Sequence, residues 1–331
     1  MSISPRLLGK SGPSVFPFAL GCMGMSGMYG PSDDTESIAT IHKALDNGVQ
    51  LLDTGDFYGA GHNELLVGRA LRESSIPRDR VLLSVKFGVL RTPGQGWGGV
   101  DTSPAAIKNF LTYSLTRLGV DYIDIYRPAR LDPKVPIEET VGAIAEMIKA
   151  GYVRHIALSE VGVDTIRRAH AVHPIADLQI EYSLISRSPE ESIFPALEEM
   201  GIGITAYGVL SRGLLSGSAT AGKGDFRSHL PRFSGENLAA NQRLVQTLQA
   251  IAAAKNCTAS QLAIAWVLAR QPHAIPLIGA RKQTQLAESL GALSVQLTSQ
   301  DLSEIESAIP AEAVSGTRYA AAQMSMLDSE K

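Results

Sequence analysis

The stretch LLDTGDFYGAGHNE, residues 51–64, joins a short apolar run to a polar, glycine-rich segment. This change is typical of a buried strand that ends in a loop, which is where α/β proteins keep their reactive side chains. Asp53 stands at the predicted strand end, and Tyr58 follows five residues later in the loop. Lys86 ends the next apolar run, VLLSVK. We therefore predict that an acid, a phenol and a cation meet in one site.

Apolar runs of strand length alternate with segments of helical period along the chain. The runs are residues 16–20, 51–53, 81–87, 122–126, 156–159, 178–182, 202–207 and 275–278. The helical segments are 34–46, 63–73, 104–117, 137–149, 163–173, 190–200, 238–255 with 260–270, and 284–290. This alternation predicts an α/β fold, a (β/α)8 TIM barrel formed by residues 1–331 as a single domain. A doubly wound sheet is the alternative. RLL and VFPFAL, on either side of GKSGPS, predict a small N-terminal β-hairpin cap.

Two long interruptions, residues 89–102 and 215–236, follow predicted strands and are expected to be long loops at the mouth of the barrel. The first contains GQGWGG, which matches the GxGxxG dinucleotide fingerprint. No strand runs directly into it and no helix begins at its end, so a flexible mouth loop is the better interpretation, with Trp97 lining the pocket. The last twenty residues, 312–331, either fold back as a lid or form a frayed tail.

Composition excludes several classes of protein. The 331 residues are 44% hydrophobic and carry a net charge of −3 without a basic run, which argues against nucleic acid or an anionic membrane as the partner. Cys22 and Cys257 are too few and too far apart for a disulfide framework or a CxxC metal site. The N-terminus has no apolar signal segment, and no apolar run approaches the roughly 18 residues of a membrane span. We expect a cytoplasmic protein.

The strongest candidate for phosphate binding lies near the end of the chain. TIM barrels commonly bind phosphates at the loops after strands seven and eight. Tyr207 ends the seventh predicted strand and is followed by GVLSRG, whereas the eighth is followed by the segment GARKQTQLAES. An aromatic ring there can stack on a nicotinamide, and nearby cations can hold a 2′-phosphate. The cations are Arg212, Arg281 and Lys282. The alternative is a pair of tight turns with solvated side chains.

Asp53, Tyr58 and Lys86 together suggest a mechanism that none of them suggests alone. If Asp53 orients Lys86 and keeps it charged, the ammonium lowers the pKa of Tyr58 and makes it a proton donor near neutral pH. That chemistry suits the reduction of a carbonyl. The alternative is a structural ion pair beside an ordinary aromatic. No GxSxG, HExxH or Walker sequence and no internal repeat offers a competing chemistry.

The chain resembles the aldo-keto reductase superfamily over essentially its whole length. LLDTGDFYGAGHNELLVGRAL resembles the DTAxxYGxGxNE signature, and DYIDIYRPARLDP resembles the fourth-strand signature. AYGVLSRGLL and IPLIGARKQTQLAESLGAL resemble the two cofactor segments. The resemblance implies a barrel that uses NADPH/NADP+ to reduce an aldehyde or ketone, or to oxidise an alcohol.

The resemblance also implies roles for individual residues. The implied catalytic residues are Asp53, Tyr58 and Lys86, and the implied substrate pocket contains Tyr58, Trp97 and Ala129. Ser159 and Gln179 match positions that bind the carboxamide, and Tyr207 matches the ring that stacks on the nicotinamide. The other implied cofactor-binding residues are Cys22, Met23, Asp53, Gly208, Leu210, Ser211, Arg212, Gly213, Gly279, Arg281, Gln285, Glu288 and Ser289.

Three positions depart from the family pattern. Ala129 stands where the catalytic histidine precedes an arginine, while Glu160 and Ser289 replace common asparagines near the nicotinamide and the adenine. The loss at Ala129 leaves three outcomes: a slow enzyme, compensation by Arg127, His62, water or the substrate, or an NADPH-binding regulatory or redox-sensing subunit with little turnover. We favour a reductase acting on a small-molecule carbonyl in a pocket that Ala129 enlarges. Its oligomeric state stays open.

Overall fold

A closed parallel β-barrel forms the centre of the protein in a computed structural model that describes residues 4–94, 96–217 and 225–331. Each strand pairs in parallel with its neighbours, and the last strand closes on the first, with Gly279 opposite Gly21. The barrel strands are β3 (Ala19–Gly21), β4 (Leu51–Gly55), β5 (Leu82–Phe87), β8 (Ile123–Pro128), β9 (Val153–Ser159), β10 (Ile175–Glu181), β11 (Gly203–Tyr207) and β12 (Ala274–Gly279). Closure confirms the predicted (β/α)8 barrel, because a doubly wound sheet has two free edges.

The predicted N-terminal hairpin is present and covers the end of the barrel where the strands begin. Its strands β1 (Arg6–Leu7) and β2 (Ser14–Val15) pair antiparallel. Leu8 and Val15 are fully buried against inward-facing strand residues, including Ile125. The apolar plug keeps water out of this end, so any ligand has to enter from the other end of the barrel.

Helices surround the barrel, and all except the short α11 have buried residues. They are α1 (Asp34–Asp46), α2 (His62–Glu73), α3 (Pro104–Leu118), α4 (Ile137–Lys149), α5 (Val163–Val172), α6 (Ile193–Met200), α7 (Gly235–Ala254), α8 (Ala259–Arg270), α9 (Gln283–Leu290), α10 (Ser299–Ala308) and α11 (Ala321–Met324). In α4, for example, Ile137, Val141 and Ile144 recur at helical spacing and are buried. Among the residues that the structure covers, none of these helices has the length and apolar composition needed to cross a membrane.

The helix α10 was not among the predicted helices, although its beginning carries a recognisable signal. Thr298 accepts a hydrogen bond from the backbone N–H of Asp301, and the Asp301 side chain accepts one from the backbone N–H of Thr298. This reciprocal capping box satisfies two of the donors that every helix leaves free at its N-terminus. The spacing of threonine and aspartate could therefore have indicated the helix.

The prediction of a flexible loop at residues 89–102 is wrong. The segment forms an antiparallel hairpin of β6 (Val89–Arg91) and β7 (Trp97–Val100) beside the mouth of the barrel. Backbone pairing satisfies the peptide groups there despite the many glycines, which is why glycine content alone was misleading. Gln95, at the centre of GQGWGG, lies outside the described residues.

The second predicted interruption, residues 215–236, contains short 3-10 turns at Phe226–His229 and Pro231–Phe233. Residues 218–224 of this interruption lie outside the described part of the chain. The C-terminal residues fold back over the mouth rather than fraying, and α11 lies within them. The entrance to the barrel is therefore shaped by three segments that are distant in sequence: the β6–β7 hairpin, the interruption after β11 and the C-terminal tail.

Candidate active site

A cavity of about 870 Å³ opens at the carboxyl ends of the strands. One region holds Asp53, Tyr58 and Lys86 together with Trp97 and Ala129. The cavity continues to the segments after β11 and β12, where the other predicted residues on its wall are Met23, Ser159, Gln179, Tyr207, Gly208, Leu210, Arg212, Gly213, Gly279, Arg281, Gln285, Glu288 and Ser289. The structure thus brings nearly all predicted site residues to one cavity, while their roles remain predictions.

Two predicted cofactor residues are buried away from the cavity, and a third, Lys282, is exposed outside it. Cys22 is fully buried among core side chains, and its thiol donates to the carbonyl of Leu20 at 3.9 Å. Ser211 is also fully buried behind the cavity wall. Both side chains are directed away from the cavity by the backbone at the strand ends, which a sequence motif does not specify.

Asp53 is the centre of a buried hydrogen-bond network. Lys86 Nζ, on the neighbouring strand, donates to Asp53 Oδ2. Ser84 Oγ and Gln179 Nε2 each donate to Asp53 Oδ1 at 2.9 Å. Since both oxygens are engaged and Asp53 is only 3% exposed, the carboxylate is held in one orientation. The predicted pairing of acid and ammonium is therefore present.

Gln179 is used differently from its implied role as a carboxamide-binding residue. While its Nε2 donates to Asp53, its Oε1 accepts a hydrogen bond from Lys86 Nζ at 3.0 Å. Both ends of the side-chain amide are thus engaged with the catalytic group in this structure. Strand pairing puts Gln179 opposite Ser159, and both residues reach the cavity from adjacent strands.

A tight turn after β4 directs Tyr58 into the cavity. Gly59, Ala60 and Gly61 all have positive φ angles, of 56°, 53° and 95°. A left-handed alanine is unusual, and such strained backbone is concentrated at functional sites. The Tyr58 ring packs edge-on against Phe57 with centroids 4.8 Å apart and lies 5.4 Å from Lys86 Nζ. The phenol is therefore fixed beside the ammonium.

The Asn63 side chain holds this turn, a role that the sequence prediction missed. It accepts a hydrogen bond from Thr54 Oγ1 at 2.6 Å and donates to the carbonyl of Cys22 at 2.9 Å and to Ser26 Oγ at 2.8 Å. Asn63 is completely buried, so losing any of these partners would leave an amide without compensation. The asparagine of the YGxGxNE motif thus joins the loops after β3 and β4.

The predicted lowering of the Tyr58 pKa by Lys86 is wrong for this structure. Burial raises the pKa of Tyr58 well above its usual value, and the nearby charge of Asp53 raises it further. Burial lowers the pKa of Lys86, although Asp53 opposes that change. Because water is excluded, the neutral phenol is favoured over the phenolate. Tyr58 therefore keeps its proton over the neutral pH range.

The structure shows the surroundings of Ala129, the predicted replacement of the family's catalytic histidine. Ala129 follows β8 and contributes to the cavity wall. Arg127 does not supply the lost group, because it is fully buried and forms two hydrogen bonds with Asp177, at 2.9 and 3.2 Å. His62 is not on the cavity wall; its ring bonds Ser26 at 2.9 Å. Neither of the two side chains suggested by the sequence reaches the space beside Ala129.

The segment after β11 makes a compact turn around Arg212. Ser211, Arg212 and Gly213 all have positive φ angles. Arg212 Nη2 donates to Glu181 Oε2 at 2.8 Å, and its guanidinium lies 4.4 Å from the Tyr319 ring centroid. In the described part of the chain, Arg212 Nη1 and Ser211 Oγ have no hydrogen-bond partner. A buried donor without a partner is costly, so this turn has capacity for an additional acceptor.

The segment after β12 provides a helix N-terminus and a second arginine. The Arg281 N–H donates to Gln285 Oε1 at 3.0 Å. Arg281 Nη1 donates to the carbonyls of Tyr29 and Pro31, both at 3.0 Å, and so joins this segment to the loop after β3. The helix α9 begins at Gln283, whose N–H donates to Glu36 Oε1 at 2.9 Å, and its positive dipole end faces the same region. Anion binding suits this arrangement.

The Glu160 side chain does not line the cavity and is directed at the C-terminal tail. Its carboxylate forms a two-point ion pair with Arg318 of the tail, at 2.8 and 2.6 Å, and accepts from Ser329 Oγ at 2.6 Å. The Glu160 backbone has a φ of 55°, and its carbonyl accepts from the Ser329 N–H at 3.2 Å. The position therefore anchors the tail to the end of β9.

The anchored tail supplies part of the cavity wall, which the sequence motifs did not reveal. Its contributing residues are Tyr319, Ala322, Gln323, Met326 and Leu327. Tyr319 Oη lies 3.1 Å from Tyr207 Oη, so the tail contacts the residue predicted to stack on a nicotinamide. Phe57 and Trp97 of the β6–β7 hairpin form an aromatic wall of the same cavity. Their ring centroids are 6.1 Å apart.

The buried carboxyl of Asp56 lies beside this site and gives a prediction for stability. Burial, with a smaller contribution from the nearby Glu64, raises the pKa of Asp56 to about 8. The folded protein then binds a proton that the unfolded chain releases, so this group destabilises the fold increasingly as pH rises from about 4 to about 8. We expect Asp56→Asn to raise the free energy of unfolding relative to the wild type. The increase should be larger at pH 8.5 than at pH 5, by on the order of 2–4 kcal/mol.

The Asp56 prediction can be checked by urea unfolding of the wild type and the variant at the two pH values. The exposed Asp79→Asn substitution is the matched control, because it removes a carboxylate on the surface. We expect its effect to be the same at both pH values. If the difference in stability between Asp56→Asn and the wild type is the same at both pH values, the Asp56 carboxyl is ionised in the folded protein.

Comparison with known proteins agrees with the fold. The Aldo/keto reductase family model matches residues 17–310. A probable aldo-keto reductase 1 of Glycine max is 41% identical over 321 residues, which cover 96% of this chain and 92% of the relative.

Two solved structures share the architecture. A glycerol dehydrogenase of Gluconobacter oxydans superposes with a TM-score of 0.84 at 29% identity, covering 94% of this chain and 97% of that chain. The holo form of an aldo-keto reductase from Bacillus halodurans gives 0.78 at 28% identity, with the same coverage. Because the family match spans most of the barrel and the relatives align over nearly their whole length, the chain belongs to the aldo/keto reductase family.

Proposed function

We propose that the protein reduces an aldehyde or ketone to an alcohol with NADPH, and that Tyr58 is the proton donor. Membership of the family supports an oxidoreductase that acts on small-molecule carbonyls. The observation that carries the finer proposal is the shared cavity, which joins the Asp53–Lys86–Tyr58 group to two segments suited to anions. The same residues would act in the reverse direction on an alcohol.

The residues present fit a phosphorylated dinucleotide. Arg212 lines the cavity with its Nη1 lacking a partner among the described residues, and the N-terminus of α9 lies beside Arg281. We propose that these groups hold the phosphates and that Tyr207 packs against the nicotinamide ring. When bound there, NADPH supplies the hydride.

The chain's own residues would then manage the proton. The raised pKa keeps Tyr58 protonated at neutral pH, so its Oη can give a proton to the carbonyl oxygen as the alcohol forms. Lys86 and Asp53 hold a fixed ion pair beside the phenol and stabilise the charge that develops there. The aromatic wall of Phe57 and Trp97 excludes water from the reacting atoms.

The composition of the wall also favours a class of substrate. Phe57, Trp97, Tyr319 and Met326 surround the catalytic end of the cavity with apolar and aromatic surface. We propose that carbonyl compounds with apolar or aromatic substituents bind better than small polyhydroxylated ones, because burial of apolar surface contributes roughly 25 cal/mol per Å².

A panel of neutral aldehydes and ketones, followed by loss of NADPH absorbance, tests the function. We expect turnover well above that of Tyr58→Phe with at least the aromatic aldehydes. NADPH binding detected by fluorescence, with no turnover above this variant, would instead favour the regulatory or redox-sensing role. The family pattern leaves that role open because the histidine is replaced by Ala129.

The substitution Arg281→Ala tests the preference for the 2′-phosphate. Loss of a charge-assisted hydrogen bond is expected to raise the KM for NADPH by about 10- to 100-fold and that for NADH by far less. The comparison of the two cofactors is essential, because Arg281 also bonds the carbonyls of Tyr29 and Pro31. Loosening that loop would affect both cofactors alike.

Lys282→Ala is the matched control for Arg281→Ala. Lys282 is exposed, does not line the cavity and carries the same charge on the adjacent residue. We expect it to leave the ratio of the two KM values nearly unchanged. Equal increases for NADPH and NADH in Arg281→Ala would contradict a 2′-phosphate contact.

A further inference from the structure

Arg130 is a cationic side chain on the cavity wall that belongs to the fourth-strand motif but is not among the predicted site residues. It directly follows Ala129 after β8. Its Nη1 donates to the carbonyl of Ala129 at 2.6 Å, so the side chain turns back over its own strand end. Its guanidinium carbon lies 6.0 Å from the Tyr319 ring centroid, which places the group between the barrel and the folded-back tail.

The electrostatic setting of Arg130 differs from that of the other arginines in this region. Each of three buried arginines pairs closely with a carboxylate: Arg127 with Asp177, Arg212 with Glu181 and Arg318 with Glu160. Within residues 4–94, 96–217 and 225–331, no carboxylate forms such an ion pair with Arg130. An arginine beside a cavity without its own counter-ion is suited to bind negative charge on a ligand.

The positive charge of Arg130 also affects the pKa values of Tyr58 and Lys86. Although burial and Asp53 raise the pKa of Tyr58, Arg130 opposes that rise. Burial is the main cause of the lowered pKa of Lys86, and Arg130 contributes to it. The guanidinium therefore acts at the same end of the cavity as the proton donor.

We propose, resting on the proposed reductase function, that Arg130 replaces the missing histidine by binding the oxygen of the substrate carbonyl beside Tyr58. The hydride adds to the carbonyl carbon, the C–O π electrons move to oxygen, and Arg130 stabilises the resulting negative charge. Tyr58 then transfers its proton to that oxygen, which completes the alcohol. Arg130 remains protonated throughout, because a guanidinium does not give up its proton in proteins.

The small side chain at position 129 is part of this arrangement. Ala129 lines the cavity, and Arg130 bends over the carbonyl of the same residue. An imidazole at position 129 would project into the space that the carbonyl oxygen and the guanidinium share. With alanine at position 129, no side chain from this residue competes with the guanidinium for the carbonyl oxygen.

The experiment compares Arg130→Met, Arg130→Lys and the wild type on benzaldehyde and 4-carboxybenzaldehyde with NADPH. We expect Arg130→Met to lower kcat on both aldehydes by roughly 10²–10³-fold. Arg130→Lys, which keeps the charge but not the planar fork, should lose less. The Kd for NADPH, measured by fluorescence, should stay within about threefold of wild type in each variant, which also shows that the variants are folded.

The variant Ala129→His/Arg130→Met tests whether the two groups are equivalent. The double variant restores an imidazole at the position where the family has one. We therefore expect its kcat to be at least about tenfold higher than that of Arg130→Met. The exposed Arg80→Met, which removes a distant positive charge, should leave kcat and KM unchanged.

Three results would overturn the proposal. Wild-type activity in Arg130→Met would exclude a role for the guanidinium while leaving the reductase function intact. A loss confined to the KM for 4-carboxybenzaldehyde would instead show that Arg130 binds a substrate carboxylate. Absence of wild-type turnover above Tyr58→Phe would remove both the proposed function and the role of Arg130.

Discussion

Replacement of Tyr58 by phenylalanine is expected to lower kcat for aldehyde reduction by roughly 10²–10⁴-fold while the Kd for NADPH changes by less than about threefold. The phenol is the candidate proton donor, and the raised pKa keeps it protonated at neutral pH. Phenylalanine preserves the ring that packs edge-on against Phe57 and near Lys86. The substitution therefore removes the proton and leaves the shape of the pocket.

Steady-state kinetics with a neutral aromatic aldehyde, combined with NADPH fluorescence, measures both quantities. Tyr113→Phe is the matched control, because Tyr113 is 51% exposed on α3 and should tolerate loss of its hydroxyl. If Tyr58→Phe and Tyr113→Phe retain equal activity, another group must donate the proton. In that case water would be the next donor to test, because the guanidinium of Arg130 keeps its proton.

The second large effect is expected from Arg318→Met. Arg318 and Glu160 form a two-point ion pair in which the Glu160 side chain is fully buried. Removing only the arginine leaves a buried carboxylate without its cation, which typically costs about 3–5 kcal/mol. Methionine preserves most of the unbranched stem, so the effect should come mainly from the lost charge. We expect the tail to detach or the whole fold to lose stability by this amount.

Hydrogen exchange of residues 318–331 and urea unfolding distinguish these two outcomes. If only the tail detaches, exchange increases there while the unfolding midpoint changes little; if the tail and barrel unfold together, the midpoint falls. The exposed pair Arg167–Glu199 provides the control, since its side chains are 47% and 62% accessible. Arg167→Met should cost less than about 1 kcal/mol. A similar small effect from Arg318→Met would contradict the anchoring role.

The same ion pair predicts a dependence on acid. Burial alone would raise the pKa of Glu160, but Arg318 lowers it from the ordinary 4.5 to about 2. The contribution of the pair to stability is therefore complete above about pH 4.5 and is lost as pH falls towards 2. The double variant Glu160→Gln/Arg318→Met should regain part of the stability lost in Arg318→Met, because no unpaired charge remains buried.

The tail also connects stability with catalysis. Glu160 follows the strand that carries Ser159, while the tail brings Tyr319 to Tyr207 at 3.1 Å. Glu160 thus holds a wall of the cavity in this chain through its contact with Arg318. Because Tyr319 and Met326 border the catalytic end, detachment of the tail should raise KM for apolar aldehydes more than for small ones.

The sequence alone predicted the closed barrel, its N-terminal hairpin and the residues that meet at the mouth. Apolar runs that stop at Asp53, Lys86 and Tyr207 mark strand ends, and parallel strands bring their carboxyl ends to one side. These signals are local, because the polarity and spacing of adjacent residues carry them. The same motifs predict that Ala129 replaces the family's catalytic histidine.

Only the tertiary structure decided what surrounds those residues. Arg318 meets Glu160 across 158 positions of sequence, and Gln179 meets Asp53 across 126, so no local pattern could reveal either contact. The sign of the Tyr58 pKa shift likewise depends on burial, which comes from packing of the hairpin, the barrel and the tail. In the stretch LLDTGDFYGAGHNE the sequence determined which groups are present at the strand end. The fold determined which of these groups are charged, which are fixed by hydrogen bonds and which face the cavity.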